Sequence, residues 1–74
     1  MEDQPLAEFG LRLRELRLER GLSQEELGSL AELDRTYISG IERGTRNVGL
    51  LNVFRIAKAL NVHPSELFIE TKAR

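Results

Sequence analysis

Cysteine is absent from this 74-residue chain, and histidine occurs once, at His63. Without cysteine the chain has no disulfide framework and no thiolate metal site, and a reducing cytoplasm is the compartment that suits this composition. His63 precedes Pro64, a position typical of helix capping, and the sequence supplies no second histidine or cluster of carboxylates to complete a site. We therefore expect a protein that is not an enzyme and that holds no cofactor and no metal ion.

Long apolar runs are also missing. The longest fall far short of the roughly 18 residues that a membrane span needs, and no secretory signal is visible. Alternation of the β type, internal repeats and low-complexity segments do not occur either. A chain near this length buries only about 60% of its unfolded surface. We expect one small domain, residues 1–74, with loose tails at 1–4 and 70–74 and a benefit from self-association.

Helical spacing of the apolar residues is the pattern that remains. It predicts a first helix over about residues 5–20, closed by Gly21, and a fourth over about 50–60, closed by Asn61 in the left-handed conformation. Pro64 starts a short fifth helix. Most charged residues of the first helix are expected to form a solvated face. The sequence predicts a compact, all-α domain of five helices.

Two short amphipathic helices occupy the central segment 23–44, SQEELGSLAELDRTYISGIERG. Ser23 and Glu26 form the pattern of a capping box at the start of the first, and Asp34 is placed to cap the second. A turn of about three residues between two such helices is typical of a helix-turn-helix unit. The second helix exposes polar residues at its N-terminal end, which suits insertion into a DNA major groove.

Charge is distributed unevenly along the chain. The formal net charge is −1, which argues against binding nucleic acid by bulk charge. The charged residues of segment 25–34 are all acidic, however, whereas the charged residues of segment 43–58 are all basic. A surface of this kind can present a positive face to phosphate. The basic residues of that segment are Arg43, Arg46, Arg55 and Lys58.

Several motifs resemble one family. The segments GLSQEEL, ISGIERG and IAKAL, within residues 12–62, resemble the lambda-repressor-like, Cro-like (XRE-type) helix-turn-helix regulators of bacteria and phages. The segment DRTYISGIERGTRN and the short chain look most like the controller proteins of restriction-modification systems. The chain departs from the family pattern at Glu32, where glycine is usual in the turn, and at Gly28, where alanine is usual.

The resemblance implies which residues contact DNA. Gln24 matches the family's phosphate anchor, and Arg35 and Thr36 match its base-reading positions. Arginine can contact guanine through two bonds, and threonine offers a hydroxyl and a methyl group. Tyr37 suits either donation to phosphate or packing at the edge of the core, and both interpretations stay open. The complete set of predicted DNA contacts is Gln24, Arg35, Thr36, Tyr37, Ser39, Arg43, Arg46 and Asn47.

Helix four has an apolar arc wider than one core face requires, which indicates a second surface. The resemblance places a homodimer interface there, and the alternative is that these residues complete the core of a monomer. Glu42 is expected to serve structure by pairing with an arginine of helix one. The predicted interface consists of Leu50, Leu51, Phe54, Val62, Leu67, Phe68 and Ile69.

These patterns together predict a function. We expect a sequence-specific regulator of transcription that binds double-stranded DNA as a homodimer on a pseudo-palindromic operator, a cytoplasmic and nucleoid-associated controller protein of its own operon. The alternative is a protein-interaction or antitoxin-like adaptor module built on the same fold. RNA polymerase is a further candidate partner through Glu25 and Glu26, although acids in a first helical turn also complement the helix dipole. Activation and repression stay open.

Overall fold

A computed structural model describes residues 4–70 of the chain. Within that range it contains four α-helices and one 3₁₀ helix, and no strand. The α-helices are α1 (Gln4–Glu19), α2 (Gln24–Ala31), α3 (Arg35–Glu42) and α4 (Leu50–Leu60), and the 3₁₀ helix is Pro64–Phe68. Of the predicted tails, residues 1–3 and 71–74 lie outside the described residues, and Gln4 is already helical.

The all-helical architecture confirms the predicted class, but the fifth element is a 3₁₀ helix and not an α-helix. Its five residues are too few for an isolated α-helix to be stable. Instead, the His63 side chain caps the segment by accepting from the amide of Ser65 at 3.1 Å, and Leu67 packs fully buried in the core. The 3₁₀ helix closes the domain against α1 and α4.

The core lies where α1, α2, α3 and α4 meet. Helix α3 packs against α1 and α2, and α2 also packs against α4, so the central helix pair is held from two sides. This arrangement leaves the N-terminal turn of α3 at the surface. The buried hydrophobic residues are Leu13, Leu16, Leu27, Ala31, Ile38, Ile41, Val53, Ile56, Ala57, Leu60 and Leu67.

The helix ends follow the predicted caps. Ser23 Oγ accepts from the amide of Glu26 at 3.0 Å, and the Glu26 carboxylate accepts from the Ser23 amide at 2.8 Å. Gly21 and Asn61 adopt left-handed φ values of 71° and 59°. Glu32 has a φ of 60° in the turn between α2 and α3, so the chain carries strain of about 1–2 kcal/mol at a position that glycine would occupy freely.

Arg12 in α1 and Arg20 directly after it also bond to neighbouring elements, in addition to the solvated face that the sequence predicts. Arg12 Nε donates to the Glu66 carbonyl at 2.7 Å, and Arg20 Nε donates to the Leu60 carbonyl at 2.7 Å. The Leu60 carbonyl belongs to the last turn of α4 and has no partner within that helix. Arginine is long enough to reach carbonyls at the ends of neighbouring elements, so Arg20 makes its bond while remaining exposed, whereas Arg12 is half-buried and Arg17 is buried.

Two features typical of other classes of protein do not occur among residues 4–70. Among residues 4–70, no helix is both long and apolar enough to cross a membrane. The same residues contain no group of histidine, aspartate and glutamate side chains that could hold a metal ion.

Candidate nucleic-acid interface

The first turn of α3 lies at the surface of the helix-turn-helix. Ile38 and Ile41 are buried and fix one face of α3 in the core, which leaves Arg35 and Thr36 exposed. Within the described residues, the Arg35 side chain forms no ion pair, with Glu32 or any other acid, although its charge contributes to lowering the pKa of the neighbouring Asp34. The guanidinium is therefore available to an external acceptor.

Asp34 holds both the backbone and the hydroxyl of Thr36. Its Oδ1 accepts from the Thr36 amide at 2.8 Å and from Thr36 Oγ1 at 2.7 Å. These bonds, the hydroxyl bond first, lower the pKa of Asp34 because they favour the charged carboxylate. As a result, the hydroxyl proton of Thr36 is engaged in the free protein, while the residue itself is exposed.

Tyr37 joins α3 to α4 and to the following loop. Its ring is half-buried and packs against the edge of the core, which bears out the packing interpretation of this residue. The phenol oxygen accepts from Asn52 Nδ2 at 3.2 Å. The Arg46 guanidinium lies over the ring, with Cζ 5.0 Å from the centroid, in a cation–π contact. Donation from Tyr37 to a phosphate stays a prediction.

The loop after α3 brings three more predicted contacts to the surface. Arg43, Arg46 and Asn47 are exposed, and Arg43 Nη1 donates to Ser39 Oγ at 2.9 Å. Gly40 lies directly beneath Arg46, and a Cβ added there would collide with the Arg46 Cγ. The absence of a side chain at Gly40 therefore lets Arg46 lie flat against α3.

Gln24 belongs to a buried ionic network. Its Nε2 donates to Glu42 Oε1 at 3.0 Å, while Arg17 binds the same carboxylate through Nε at 2.6 Å and Nη2 at 3.0 Å. The Arg17 and Glu42 side chains are only 9% and 4% exposed. The hydrogen bond with Glu42 raises the pKa of Arg17 against the opposing effect of burial. The predicted pairing of Glu42 with a helix-one arginine is confirmed.

This network decides which end of the Gln24 amide faces inward. A carboxylate only accepts hydrogen bonds, so the amide nitrogen must point toward Glu42. Arg17 neutralises the charge of Glu42 and also donates from Nη1 to the Leu22 carbonyl at 2.8 Å. The negative charge at the end of α3 is thus removed from the surface that carries Arg35, Arg43 and Arg46.

The sequence patterns did not predict that Arg17 is the arginine that pairs with Glu42, and they gave no role to Asn52. Arg17 lies four residues after the buried Leu13 and one after Leu16, so it occupies the apolar stripe of α1. A charged residue within an apolar stripe is the sequence feature that could have indicated a buried ion pair. Asn52 offered no such signal, because a polar residue on an amphipathic helix is ordinary and only the tertiary fold brings it to Tyr37.

The predicted dimer residues fall into two groups. Leu50, Leu51 and Phe54 on α4, with Phe68 and Ile69, are exposed, Leu50 by 71% and Phe68 by 66%. Val62 is half-buried against the core. Leu67 is 0% exposed, which corrects its assignment to the interface: its side chain packs in the core of its own chain and offers no surface to a partner.

This chain is similar to known proteins both in sequence and in structure. A family model described as Helix-turn-helix matches residues 13–67. The control protein C.BamHI of Bacillus amyloliquefaciens is 53% identical over 60 residues, which are 80% of this chain and 74% of that protein. The crystal structure of the restriction-modification controller protein C.AhdI of Aeromonas hydrophila is similar at 57% identity and a TM-score of 0.84, covering 85% of this chain and 96% of that one.

A relative has also been solved with nucleic acid. The structure of C.Esp1396I bound to a 19 base pair DNA duplex resembles this chain at 40% identity and a TM-score of 0.81. The similarity covers 88% of this chain and 87% of that one, so it includes the helix-turn-helix and most of the flanking elements.

Proposed function

The chain belongs to the helix-turn-helix family and to its restriction-modification controller proteins, and from this premise we propose that it binds a pseudo-palindromic operator in its own operon as a homodimer. It is a DNA-binding regulator of transcription and not an enzyme. The observation that carries the proposal is the unpaired Arg35 at the exposed start of α3, within a fold whose relative C.Esp1396I binds a DNA duplex.

Direct base readout is assigned to the first turn of α3. Arg35 can bond to O6 and N7 of guanine, and Thr36 presents its methyl group and hydroxyl oxygen to the neighbouring base pair. Gln24 retains one amide hydrogen for a phosphate oxygen after its bond to Glu42. The remaining contacts fix the register along the phosphate backbone: Tyr37, Ser39, Arg43, Arg46 and Asn47.

Dimerisation is assigned to the exposed apolar residues of α4 and the segment after it. One recognition helix reads only a few base pairs, whereas a two-fold dimer places two such helices one helical turn apart. An isologous contact uses the same patch on both copies. The patch consists of Leu50, Leu51, Phe54, Phe68 and Ile69, with Val62 at its edge.

Other partners have less support. Glu26 accepts from the Ser23 amide in the capping box, so contact with RNA polymerase would rest chiefly on the exposed Glu25. A regulator of a bacterial operon acts where the DNA is, and we place this protein in the cytoplasm at the nucleoid. The adaptor function has no observation in its favour and serves as the competing outcome of the experiment.

The deciding experiment selects bound sites from a random duplex library with purified protein at two salt concentrations. We expect enrichment of a pseudo-palindrome with half-sites about one helical turn apart. Arg35→Ala should cost about 1–3 kcal/mol of binding free energy and relax the base preference, whereas Arg46→Ala should weaken all sequences alike and reduce the salt slope by about 1. Arg14→Ala, on the exposed surface of α1, is the matched control.

Two results would contradict the proposal. Retention that disappears with salt and enriches no sequence would leave only non-specific phosphate binding. Arg35→Ala and Arg46→Ala variants that bind the selected duplex as wild type does would refute the site and favour the adaptor function.

A further inference from the structure

We propose that Asn52 is a positioning residue for DNA binding, because it holds the Tyr37 phenol so that Tyr37 and the Arg46 above it present their donors to the DNA backbone. The inference rests on the proposed function and adds a residue outside the helix-turn-helix to it. Asn52 lies on α4, and none of the predicted contacts includes it.

The contact between α3 and α4 is sheltered. Asn52 and Tyr37 are both half-buried, and their polar atoms are 3.2 Å apart. Asn52 lies between the exposed Leu51 and the buried Val53, at the border of the core face of α4. A hydrogen bond at such a border competes less with water than one on an open surface, so it can fix the phenol in one place.

The direction of this bond matters for phosphate binding. The Asn52 amide donates, and the phenol oxygen accepts. The phenol proton therefore remains free to be donated elsewhere. Phosphate oxygens only accept hydrogen bonds, so a tyrosine that contacts DNA backbone must supply this proton. Asn52 thus leaves Tyr37 in the state that a phosphate requires.

The Tyr37 ring also holds Arg46, which lies in the loop after α3. Its guanidinium stacks on the Tyr37 ring at 5.0 Å, and Gly40 leaves room for its aliphatic part against α3. An arginine held on an aromatic face loses less side-chain freedom when it binds phosphate than one that moves freely. A phenol fixed by Asn52 therefore fixes a second phosphate donor as well.

The test is a double-mutant cycle in DNA binding with the full chain. Wild type, Asn52→Ala, Tyr37→Phe and the double variant are titrated with the duplex that wild type selects, and binding is followed by fluorescence anisotropy. We expect Asn52→Ala to lower the affinity about 3- to 10-fold, the range of one hydrogen bond. In the Tyr37→Phe background, which keeps the ring and removes the hydroxyl, the same change should cost less than about 2-fold.

Asn52→Asp tests the direction of the bond. A carboxylate of nearly the same size accepts the phenol proton, so the loss of affinity should exceed that of Asn52→Ala when Tyr37 is present. The added negative charge also repels phosphate, and the Tyr37→Phe background measures that part separately.

The possible outcomes separate the two proposals. Equal losses from Asn52→Ala in both backgrounds, or no loss in either, overturn the positioning role while the regulator function stands. Failure of wild type to select any duplex overturns the proposed function and the inference with it. Thermal unfolding of each variant, recorded in parallel, shows whether all of these proteins are folded at the temperature of the titration.

Discussion

At the scale of single residues, the carboxylates at the two ends of α3 make different contacts. Glu42 is buried and receives three donated bonds, two from Arg17 and one from Gln24. Asp34 is exposed and accepts from the backbone and hydroxyl of Thr36. Both carboxylates therefore stabilise local structure, and the charge of Glu42 is buried and paired with Arg17.

Loss of Arg17 should destabilise the fold strongly. Arg17→Met leaves the Glu42 carboxylate buried without its cation, which typically costs about 3–5 kcal/mol of the free energy of unfolding. The double variant Arg17→Met/Glu42→Leu removes both charges and should recover most of that loss. Urea denaturation measures the free energy of unfolding of the single and the double variant, and Arg14→Met, at an exposed position, is the control. A double variant no more stable than the single one would contradict a penalty due to the unpaired charge.

Protonation of Asp34 should reduce stability in acid. Because its pKa is lowered in the folded chain, its contribution is complete above the ordinary aspartate pKa and is lost as the pH falls through the folded value. An asparagine side chain at this position would cap α3 without a titrating group. Asp34→Asn should therefore flatten the loss of stability between about pH 5 and about pH 2. Urea midpoints of wild type and variant that fall in parallel over this range would refute the assignment.

At the scale of helices, α1 and α3 approach each other closely. A Cβ added at Gly10 would collide with the Ile41 carbonyl oxygen and lie 2.7 Å from that of Glu42. Both obstacles are backbone atoms, so neither can rotate away as a side chain would. Glycine is required there by packing, because the last turn of α3 lies directly on α1.

Gly10→Ala should accordingly destabilise the domain by about 1–3 kcal/mol, the range of an overpacked contact. Helix propensity alone predicts the opposite sign, a gain of about 1 kcal/mol. The free energy of unfolding in urea decides between them. Gly49→Ser serves as the control because its side chain would enter open space at the cap of α4. A stabilised Gly10→Ala variant would show that α1 shifts at little cost.

Some features of the helices could be predicted from the sequence, and others could not. Capping by Ser23, Asp34 and Asn61 follows from local hydrogen bonding and backbone sterics, so the sequence places these helix ends correctly. The 3₁₀ form of Pro64–Phe68 and the bonds from Arg12 and Arg20 depend on distant partners. No local pattern contains that information.

At the scale of the whole molecule, one small core coexists with a large exposed apolar surface. The exposed apolar residues are Leu50, Leu51 and Phe54 on α4, and Phe68 and Ile69 near the end of the described residues. The Phe68 ring packs against the Phe9 ring, with the ring centroids 5.3 Å apart. Apolar surface of this kind typically marks an interaction site, and a second copy is the partner that the proposed function requires.

A charge placed in this surface should separate the dimer. Phe54→Glu adds a carboxylate that would be buried without a partner on association, so we expect a monomer with the wild-type helical content and weaker operator binding. Leu18→Glu, at an exposed leucine of α1, is the matched control and should leave the mass unchanged. Sedimentation equilibrium measures the mass, and an unchanged mass for Phe54→Glu would place the interface elsewhere.

The sequence by itself determined the helix caps at Ser23, Asp34 and Asn61, the helix-turn-helix unit and the family, because these depend on neighbouring residues and short spacings. Through the family resemblance it also predicted a base-reading role for Arg35, which stays a prediction. Only the tertiary structure decided that Leu67 belongs to the core, that Arg17 neutralises Glu42 and that Asn52 meets Tyr37. The reason is physical: burial and pairing depend on which surfaces meet in space, and residues far apart in the chain carry no local mark of that meeting.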